Sequence, residues 1–94
     1  KHLKGDLAKY VRFIGKIKVK GKEFPVSIYE LFNGDPSDIS DLKLKTKEDF
    51  ERAVRLRDSH DFDAAQLGFK RVLSDFPGDK TTQIYLSRFR KSEK

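Results

Sequence analysis

Residues 10–32 read YVRFIGKIKVKGKEFPVSIYELF. Two runs rich in Ile, Val, Phe and Tyr flank the glycine-bearing tetrapeptide KGKE, and this pattern predicts a β-hairpin. Setting Ile17 opposite Val26 also sets Gly15 opposite Ile28. A slip of one residue would place lysines beside valines on the buried side, so the pattern specifies this register well.

The loop between the two strands is expected to hold four residues, 20–23. A two-residue loop would place Pro25 where the ladder needs a backbone N–H, which proline lacks. With the longer loop, Val19 lies opposite Phe24. The side chains predicted to face the core are those of Ile17, Val19, Phe24, Val26 and Ile28, whereas Lys16, Lys18 and Lys20 point to the other face, with Ser27 opposite Lys16.

The first strand contains a glycine at position 15, directly after two adjacent apolar residues, Phe13 and Ile14. A glycine inside a strand often marks a bulge or a close approach of the backbone to another group. Because an isolated two-stranded hairpin is only marginally stable in water, its apolar face needs cover. That cover comes either from helices later in the chain or from strands outside it.

The composition excludes several classes of protein. Eight Phe and many Ile, Val and Leu in 94 residues argue against a disordered chain and suffice for one small domain. The apolar runs are too short to cross a bilayer, and no secretory signal pattern is present. There is no cysteine, hence no disulfide and no thiolate metal site, which fits a reducing cytoplasm. Since the chain lacks an initiator Met and begins inside a polar segment, we interpret it as a piece of a longer protein.

The positive charge is concentrated in the hairpin half. Residues 1–34 hold eight Lys or Arg against three Asp or Glu, while residues 35–94 hold thirteen against twelve. A basic surface of this kind favours contact with phosphate, either in a nucleotide or in nucleic acid. A solvated sheet face, or an edge strand protected by lysines, explains the same charge without any ligand.

Three helices are predicted after the hairpin. Turn residues at 33–38 open an acidic linker, 35–45, and Thr46 is expected to cap a first helix at 47–58. Asp61 caps a second helix at 62–75, and Asp79, after Pro-Gly, caps a third at 80–91. The predicted core positions are Phe50, Ala53, Val54, Ala65, Phe69, Val72, Leu73, Phe76, Ile84, Tyr85, Leu86 and Phe89, and the small Ala64 and Gly68 admit the first helix closely. The fold class is therefore α+β.

The first two helices resemble a tetratricopeptide repeat. That motif has a small residue in its first helix, an aromatic at the turn, then alanine, a large apolar residue and proline. The matching residues are Ala53, Phe62, Ala65, Phe69 and Pro77. The match covers about one repeat length and lacks the usual aromatic of the first helix. A single repeat cannot bury its own face, so it needs the third helix and the hairpin or linker as cover.

The hairpin resembles the last two strands of a class III nucleotide cyclase catalytic domain. The motifs are RF at 12–13, VKGK at 19–22, PV at 25–26 and IYE at 28–30. Bacterial members often continue through GDP, here at 34–36, into a tetratricopeptide-like tail. The resemblance divides the chain into a terminal hairpin of the catalytic domain (1–34), an acidic linker (35–45) and a helical region (46–94).

The resemblance implies that the parent protein is an adenylate or guanylate cyclase. Such an enzyme converts ATP or GTP into a 3′,5′-cyclic nucleotide and pyrophosphate, works as a homodimer and uses Mg²⁺ or Mn²⁺. The metal-binding and transition-state residues lie upstream of the final hairpin in the family, so this chain holds no catalytic residue and is expected to be inactive alone. Lys20 carries over as the residue that reaches the substrate phosphates, with Lys22 as a second candidate.

The remaining polar residues predict no further site. His2 and His60 are far apart and have no partner at helical spacing, so no metal site is expected. The aspartates at 35, 38 and 41 follow the strands, where the family has no metal ligands. Aromatic residues fall on apolar faces rather than among the exposed lysines, which argues against a nucleic-acid partner. The alternative function is a protein-interaction module in which the helical tail docks a partner and no catalysis occurs.

Overall fold

A computed structural model describes residues 8–21 and 23–92 of the chain, with side chains up to residue 89. The hairpin consists of β1 (Val11–Ile17) and β2 (Val26–Leu31). Three helices follow: α1 (Ser37–Asp58), α2 (Phe62–Asp75) and α3 (Lys80–Ser92). The predicted α+β class, an antiparallel hairpin followed by three helices, is confirmed. His2 and Lys22 lie outside the described residues.

The hairpin has the predicted register. Ile17 pairs with Val26, and Gly15 pairs with Ile28. The register shifts by one residue between Phe13 and Gly15, so the predicted bulge is present in β1. Gly15 adopts a φ of 138°, a backbone conformation that side chains with a Cβ rarely accept. A Cβ at this position would lie 3.1 Å from the Tyr85 hydroxyl, so the predicted close approach is also confirmed.

The loop of the hairpin is longer than predicted. The ladder ends at the pair Ile17 and Val26, so eight residues, 18–25, connect the strands and the pairing of Val19 with Phe24 does not form. The predicted core face is also wrong at this end: Ile17 is 52% exposed and Phe24 74% exposed. The helices cover the opposite end of the hairpin, because α1 packs along β1 near Phe13.

The first helix begins earlier than the sequence predicted. Helix α1 starts at Ser37, so residues 37–45 of the expected linker are helical. Thr46 is buried inside this helix and its hydroxyl donates to the Leu42 carbonyl at 2.8 Å. The N-cap prediction for Thr46 is therefore wrong. A Thr hydroxyl can bond the carbonyl four residues earlier within a helix, and this competing use was not visible in the local sequence.

Helices α2 and α3 begin where the sequence predicted. The Asp61 side chain accepts a hydrogen bond from the Ala64 backbone N–H, as expected of an N-cap. At the start of α3, the Thr82 hydroxyl donates to Asp79 Oδ2 at 2.9 Å, and the Gln83 backbone N–H donates to the Asp79 carbonyl at 3.0 Å. Ile84 was predicted to be buried but is half exposed, since α3 turns Tyr85 and Phe89 toward the core instead.

The core lies between α1 and α2, with β1 and α3 closing it. The buried apolar side chains that form it are Phe13, Phe50, Ala53, Val54, Ala65, Phe69, Val72 and Phe89. Helices α1 and α2 approach most closely at Gly68, where an added Cβ would lie only 2.9 Å from the Ala53 Cβ. The predicted role of Gly68 as a small residue at this crossing is confirmed. Among the helices of the described part of the chain, none is long and apolar enough to cross a membrane.

Candidate functional site

Lys20 lies in the loop of residues 18–25, and we define the hairpin tip as this loop with the last ladder pairs, residues 16–27. Its side chain is exposed, and the next residue, Gly21, has a φ of 86° that suits glycine. The loop has no ladder pairing to hold it, so the ammonium can extend into solvent on a flexible stem. This placement is compatible with a phosphate contact made by a molecule or subunit above the tip. The assigned role of Lys20, and that of Lys22, stays a prediction.

The tip carries an apolar surface beside Lys20. Ile17 and Val26 form the last pair of the ladder and are both exposed, with Val19 and Phe24 exposed in the loop. On the opposite face, Tyr29 and Leu31 of β2 are more than half exposed. A hairpin with apolar residues on both faces is typical of strands inside a larger sheet, where both faces are covered.

The hairpin base, residues 10–15 with 28–32, contains a group of charged side chains that the sequence did not reveal. Arg12 of β1 is 1% exposed and forms a two-point contact with Asp79: Nη1 donates to Oδ2 at 2.8 Å and Nη2 donates to Oδ1 at 3.0 Å. Its Nε donates to Glu30 Oε1 at 2.7 Å. The guanidinium lies 4.1 Å from the centre of the Phe50 ring. One arginine thus joins β1, β2, α1 and the start of α3.

Lys43 of α1 extends this arrangement toward the turn after β2. Its ammonium donates to Glu30 Oε2 and to Asp35 Oδ2, both at 2.7 Å. We call Arg12, Glu30, Lys43 and Asp79 the base ion network. Arg12 contacts Asp79 and Glu30, and Lys43 contacts Glu30 and Asp35, so charges of opposite sign alternate from the start of α3 through β1 and β2 to α1.

The carboxyl groups of the base ion network are held ionised. Burial alone would raise the pKa of Asp79, but the hydrogen bonds and charge of Arg12, helped by Thr82, outweigh it and the pKa falls below its ordinary value. Burial opposes the ionised form of Glu30 in the same way, and the hydrogen bonds from Lys43 and Arg12 lower its pKa. The network is therefore a set of satisfied charges and offers no group poised to exchange a proton near neutral pH.

Two further contacts fasten the hairpin base to the helices. The Phe13 backbone N–H donates to Glu51 Oε2 of α1 at 2.7 Å. The Tyr85 hydroxyl of α3 donates to the Ile14 carbonyl at the bulge. Side chains of α1 and α3 thus form hydrogen bonds with backbone groups of β1, and these bonds attach the hairpin base to the helices.

The described residues offer no metal centre. No group of three His, Asp or Glu side chains within 8–21 and 23–92 is arranged to hold an ion. Asp35 bonds Lys43, and Asp79 bonds Arg12, so these carboxylates serve structural pairs. His60 lies exposed in the turn between α1 and α2 with a φ of 67°, its ring 5.4 Å from that of Phe62. Its position is that of a turn residue.

Sequence reasoning missed the base ion network because no local pattern joins its members. Arg12 and Asp79 are 67 positions apart. The sequence explained Arg12 as part of the RF motif at 12–13, and it explained Asp79 as the cap of the third helix. One signal was present: Arg12 stands between Val11 and Phe13 in a strand otherwise rich in apolar side chains. A charge at a position destined for the core requires a buried partner of opposite sign.

Comparison with known proteins gives a relative but no family assignment. No family model matches the chain, and no solved structure matches it. The chain is 32% identical over 78 residues to "Adenylate cyclase, terminal-differentiation specific" of Dictyostelium discoideum, which covers 83% of this chain. It spans about 4% of the length of that relative. A continuous match of 78 residues leaves 16 of the 94 residues unmatched. Wherever the match begins, it therefore includes residues 17–78, which contain β2, α1 and α2. The chain is thus distantly similar to a short segment of an adenylate cyclase, and this similarity extends from the hairpin into the helices.

Proposed function

We propose that this chain is the C-terminal segment of a class III nucleotide cyclase, in which the hairpin forms one wall of the active site and the helices form a tetratricopeptide-like tail. The observation that carries the proposal is the similarity to an adenylate cyclase across the loop, β2 and the first two helices. The exposed apolar residues on both faces of the hairpin support it, because a terminal hairpin of a catalytic sheet needs such residues to pack against preceding strands.

The proposed reaction joins the 3′-oxygen of ATP or GTP to its own α-phosphorus and releases pyrophosphate. Negative charge grows on the leaving pyrophosphate as the bond to the α-phosphorus breaks. Lys20 acts by placing an ammonium against these oxygens, where a fixed positive charge stabilises the transition state more than the ground state. The exposed, unpaired loop that carries Lys20 suits a residue that contacts its substrate across the interface of a homodimer.

The parent enzyme is proposed to use Mg²⁺ or Mn²⁺. In the family that the hairpin resembles, the metal ligands lie upstream of the final hairpin, and we place the metal of the parent there. In that family, the groups that recognise the base and stabilise the pentacoordinate phosphorus also lie upstream of the final hairpin. This segment contributes phosphate contact and structure, works in the cytoplasm, and has no turnover of its own.

Replacing Lys20 in the full-length parent tests this role. In Lys20→Ala, kcat is expected to fall about 100-fold, the effect of removing one transition-state donor, with a smaller change in KM. Lys18→Ala, an exposed lysine in the same loop, is the matched control and should retain activity. Equal losses in the two variants would show that only general positive charge matters. Cyclic nucleotide formation by the 94-residue chain alone would overturn the statement that it is inactive.

The rival function is a protein-interaction module without a catalytic role. The tail exposes Leu67 of α2 and Ile84 of α3, apolar residues that a partner could cover. A partner captured equally well by the whole chain and by a fragment without residues 1–34, together with a parent that forms no cyclic nucleotide, would favour this function over the cyclase.

A further inference from the structure

A cavity of about 410 Å³ opens between the three helices, on the side of the tail remote from Asp79. The end of α1 contributes Arg57, the first turns of α2 contribute Phe62, Asp63 and Gln66, and α3 contributes Tyr85, Arg88 and Phe89. Its volume lies within the range of pockets that hold small molecules, roughly 300–1,000 Å³. None of the groups assigned to the cyclase function lies in it.

Aromatic rings form the wall of the cavity. Phe62 is 44% exposed, although its ring packs edge-on against Phe89 at 5.8 Å. Phe89 in turn lies 6.1 Å from Phe69, so the wall is backed by the core. An apolar ring left half open above a packed aromatic cluster provides a surface for stacking another flat ring.

Positive charge lies on the same cavity. The Arg57 guanidinium is stacked 4.6 Å from the centre of the Tyr85 ring, and its Nη2 donates to Asp58 Oδ1 at 3.1 Å. These contacts fix the orientation of the fork, yet its buried Nε finds no hydrogen-bond acceptor among the described residues. Arg88 adds a second guanidinium one turn along α3, and Asp63 is the one carboxylate of the lining. Among the lining residues, two guanidiniums therefore face one carboxylate beside an aromatic wall, and the Asp58 carboxylate bonds Arg57 from outside the lining.

We propose that this cavity binds a small ligand in which a flat aromatic ring carries an anionic group. The ring stacks against Phe62, and the anion is paired with Arg57 and Arg88, whose planar forks match carboxylate and phosphate oxygens. The amide of Gln66 supplies one further donor and acceptor for the ring edge. Purine nucleotides and aromatic carboxylic acids both have this chemistry. The site does not depend on the cyclase proposal, so either can fail without the other.

Titration of the 94-residue chain, followed through the backbone amide resonances of α2 and α3, tests the site. The probes are two aromatic anions, adenosine 5′-monophosphate and benzoate. The controls are adenosine and benzamide, which lack the anionic group, and inorganic phosphate, which lacks the aromatic ring. At least one aromatic anion is expected to bind with a dissociation constant below about 1 mM and at least about tenfold more tightly than its uncharged partner and than phosphate. Which of the two binds identifies the source.

Variants locate the binding. Arg88→Gln is expected to weaken the aromatic anion about tenfold, since it removes a charged hydrogen bond, and Asp63→Asn is expected to tighten it about twofold because it removes a repelling charge. Arg71→Gln, an exposed arginine on another face of α2, is the control for net charge and should leave binding unchanged. Circular dichroism verifies that each variant is folded.

Three results would overturn the proposal. Adenosine or benzamide binding as tightly as its anion would remove the role of the arginines. Phosphate binding as tightly as the aromatic anions would reduce the cavity to a general anion site. No resonance shift with any aromatic anion at about 10 mM, well above the expected dissociation constant, would mean that the cavity holds no such ligand.

Discussion

The two ends of the hairpin differ in almost every physical respect, although β1 and β2 form both of them. At the base, Arg12 is 1% exposed and bonded to two carboxylates, and Phe13 lies in the core. At the tip, Ile17 and Phe24 are more than half exposed, and residues 18–25 lie outside the ladder. At the base, Arg12 and Phe13 are buried against the helices, whereas Tyr29 and Leu31 on the other face of β2 are more than half exposed. The tip has satisfied neither its apolar faces nor the ammonium of Lys20.

The difference shows which interfaces are complete within these residues. A buried charge needs a partner, and Arg12 and Glu30 at the base both have one, so these charges need no partner from outside the described residues. Exposed apolar side chains, here Ile17 and Phe24 at the tip and Tyr29 and Leu31 on the opposite face of β2, are the usual mark of a surface that another element covers. We infer that the helical tail fixes one end of the hairpin, while the rest of the parent protein covers the other.

The largest expected effect comes from breaking the base ion network. Asp79→Ala leaves the Arg12 guanidinium buried without its two-point partner, and removing one member of a buried pair costs about 3–5 kcal/mol of unfolding free energy. Urea unfolding followed by circular dichroism measures the loss. Asp75→Ala, an exposed aspartate at the end of α2, is the matched control and should change the stability by less than about 0.5 kcal/mol. Equal effects in the two variants would contradict the importance of the network.

Acid should weaken the base ion network. The pKa values of Asp79 and Glu30 are lowered in the folded chain, so their contribution is present above the ordinary values of 3.8 and 4.5. As the pH falls through these values, the unfolded chain binds the protons first, and each carboxyl removes up to about 1.4 kcal/mol of stability per pH unit until its folded-state pKa is passed. Urea midpoints between pH 6 and 2 measure this slope. An Asp79→Asn variant with the same slope as the unchanged chain would show that Asp79 does not contribute to it.

The sequence predicted the parts of the fold that depend on local pattern. The register around Ile17 and Val26, the bulge before Gly15 and both ends of α2 follow from alternation, a single glycine and a capping aspartate. The start of α1 and the burial of the tip were wrong because they depend on contacts with distant elements. Helix α1 begins at Ser37. In the part of the helix that was not predicted, Lys43 bonds Glu30 and Asp35, which both lie outside the helix.

The candidate site was less predictable than the fold. The motif around Lys20 identified a loop that the structure leaves exposed, and its chemical role rests on resemblance and remains a prediction. The base ion network could not be predicted from spacing, since Arg12 and Asp79 meet only in the assembled fold, where β1 packs on α1 and α3 packs on α2. Long-range pairs of this kind are fixed by the tertiary structure, and a sequence window of one helix or strand carries no information about them.

A glycine with positive φ lies at each end of the hairpin, so the same substitution can be compared at the base and at the tip. Gly15 and Gly21 both adopt positive φ, but a Cβ at Gly15 would lie 3.1 Å from the Tyr85 hydroxyl and 3.2 Å from Arg57, whereas nothing lies within 4 Å of one at Gly21. Gly15→Ala is expected to cost about 2 kcal/mol, from backbone strain together with the contact. Gly21→Ala should cost less than about 1 kcal/mol, because the unpaired loop can relax. Thermal unfolding of both variants measures the difference, and a larger loss for Gly21→Ala would mean that the loop is more constrained than its exposure suggests.

The smallest effect is expected at the apolar surface of the tip. Phe24 is 74% exposed, so Phe24→Ser removes little buried area and should change the unfolding free energy by less than about 0.5 kcal/mol. Phe76→Ser, at an aromatic residue that is 4% exposed, is the contrasting control and should cost about 3–5 kcal/mol. The proposed function predicts a larger cost of the same Phe24 substitution in the full-length parent than in the 94-residue chain, because it places preceding strands of the parent over the tip. A parent protein as tolerant of Phe24→Ser as the 94-residue chain would show that the tip stays exposed there as well, and that its apolar residues have a purpose other than packing against a catalytic sheet.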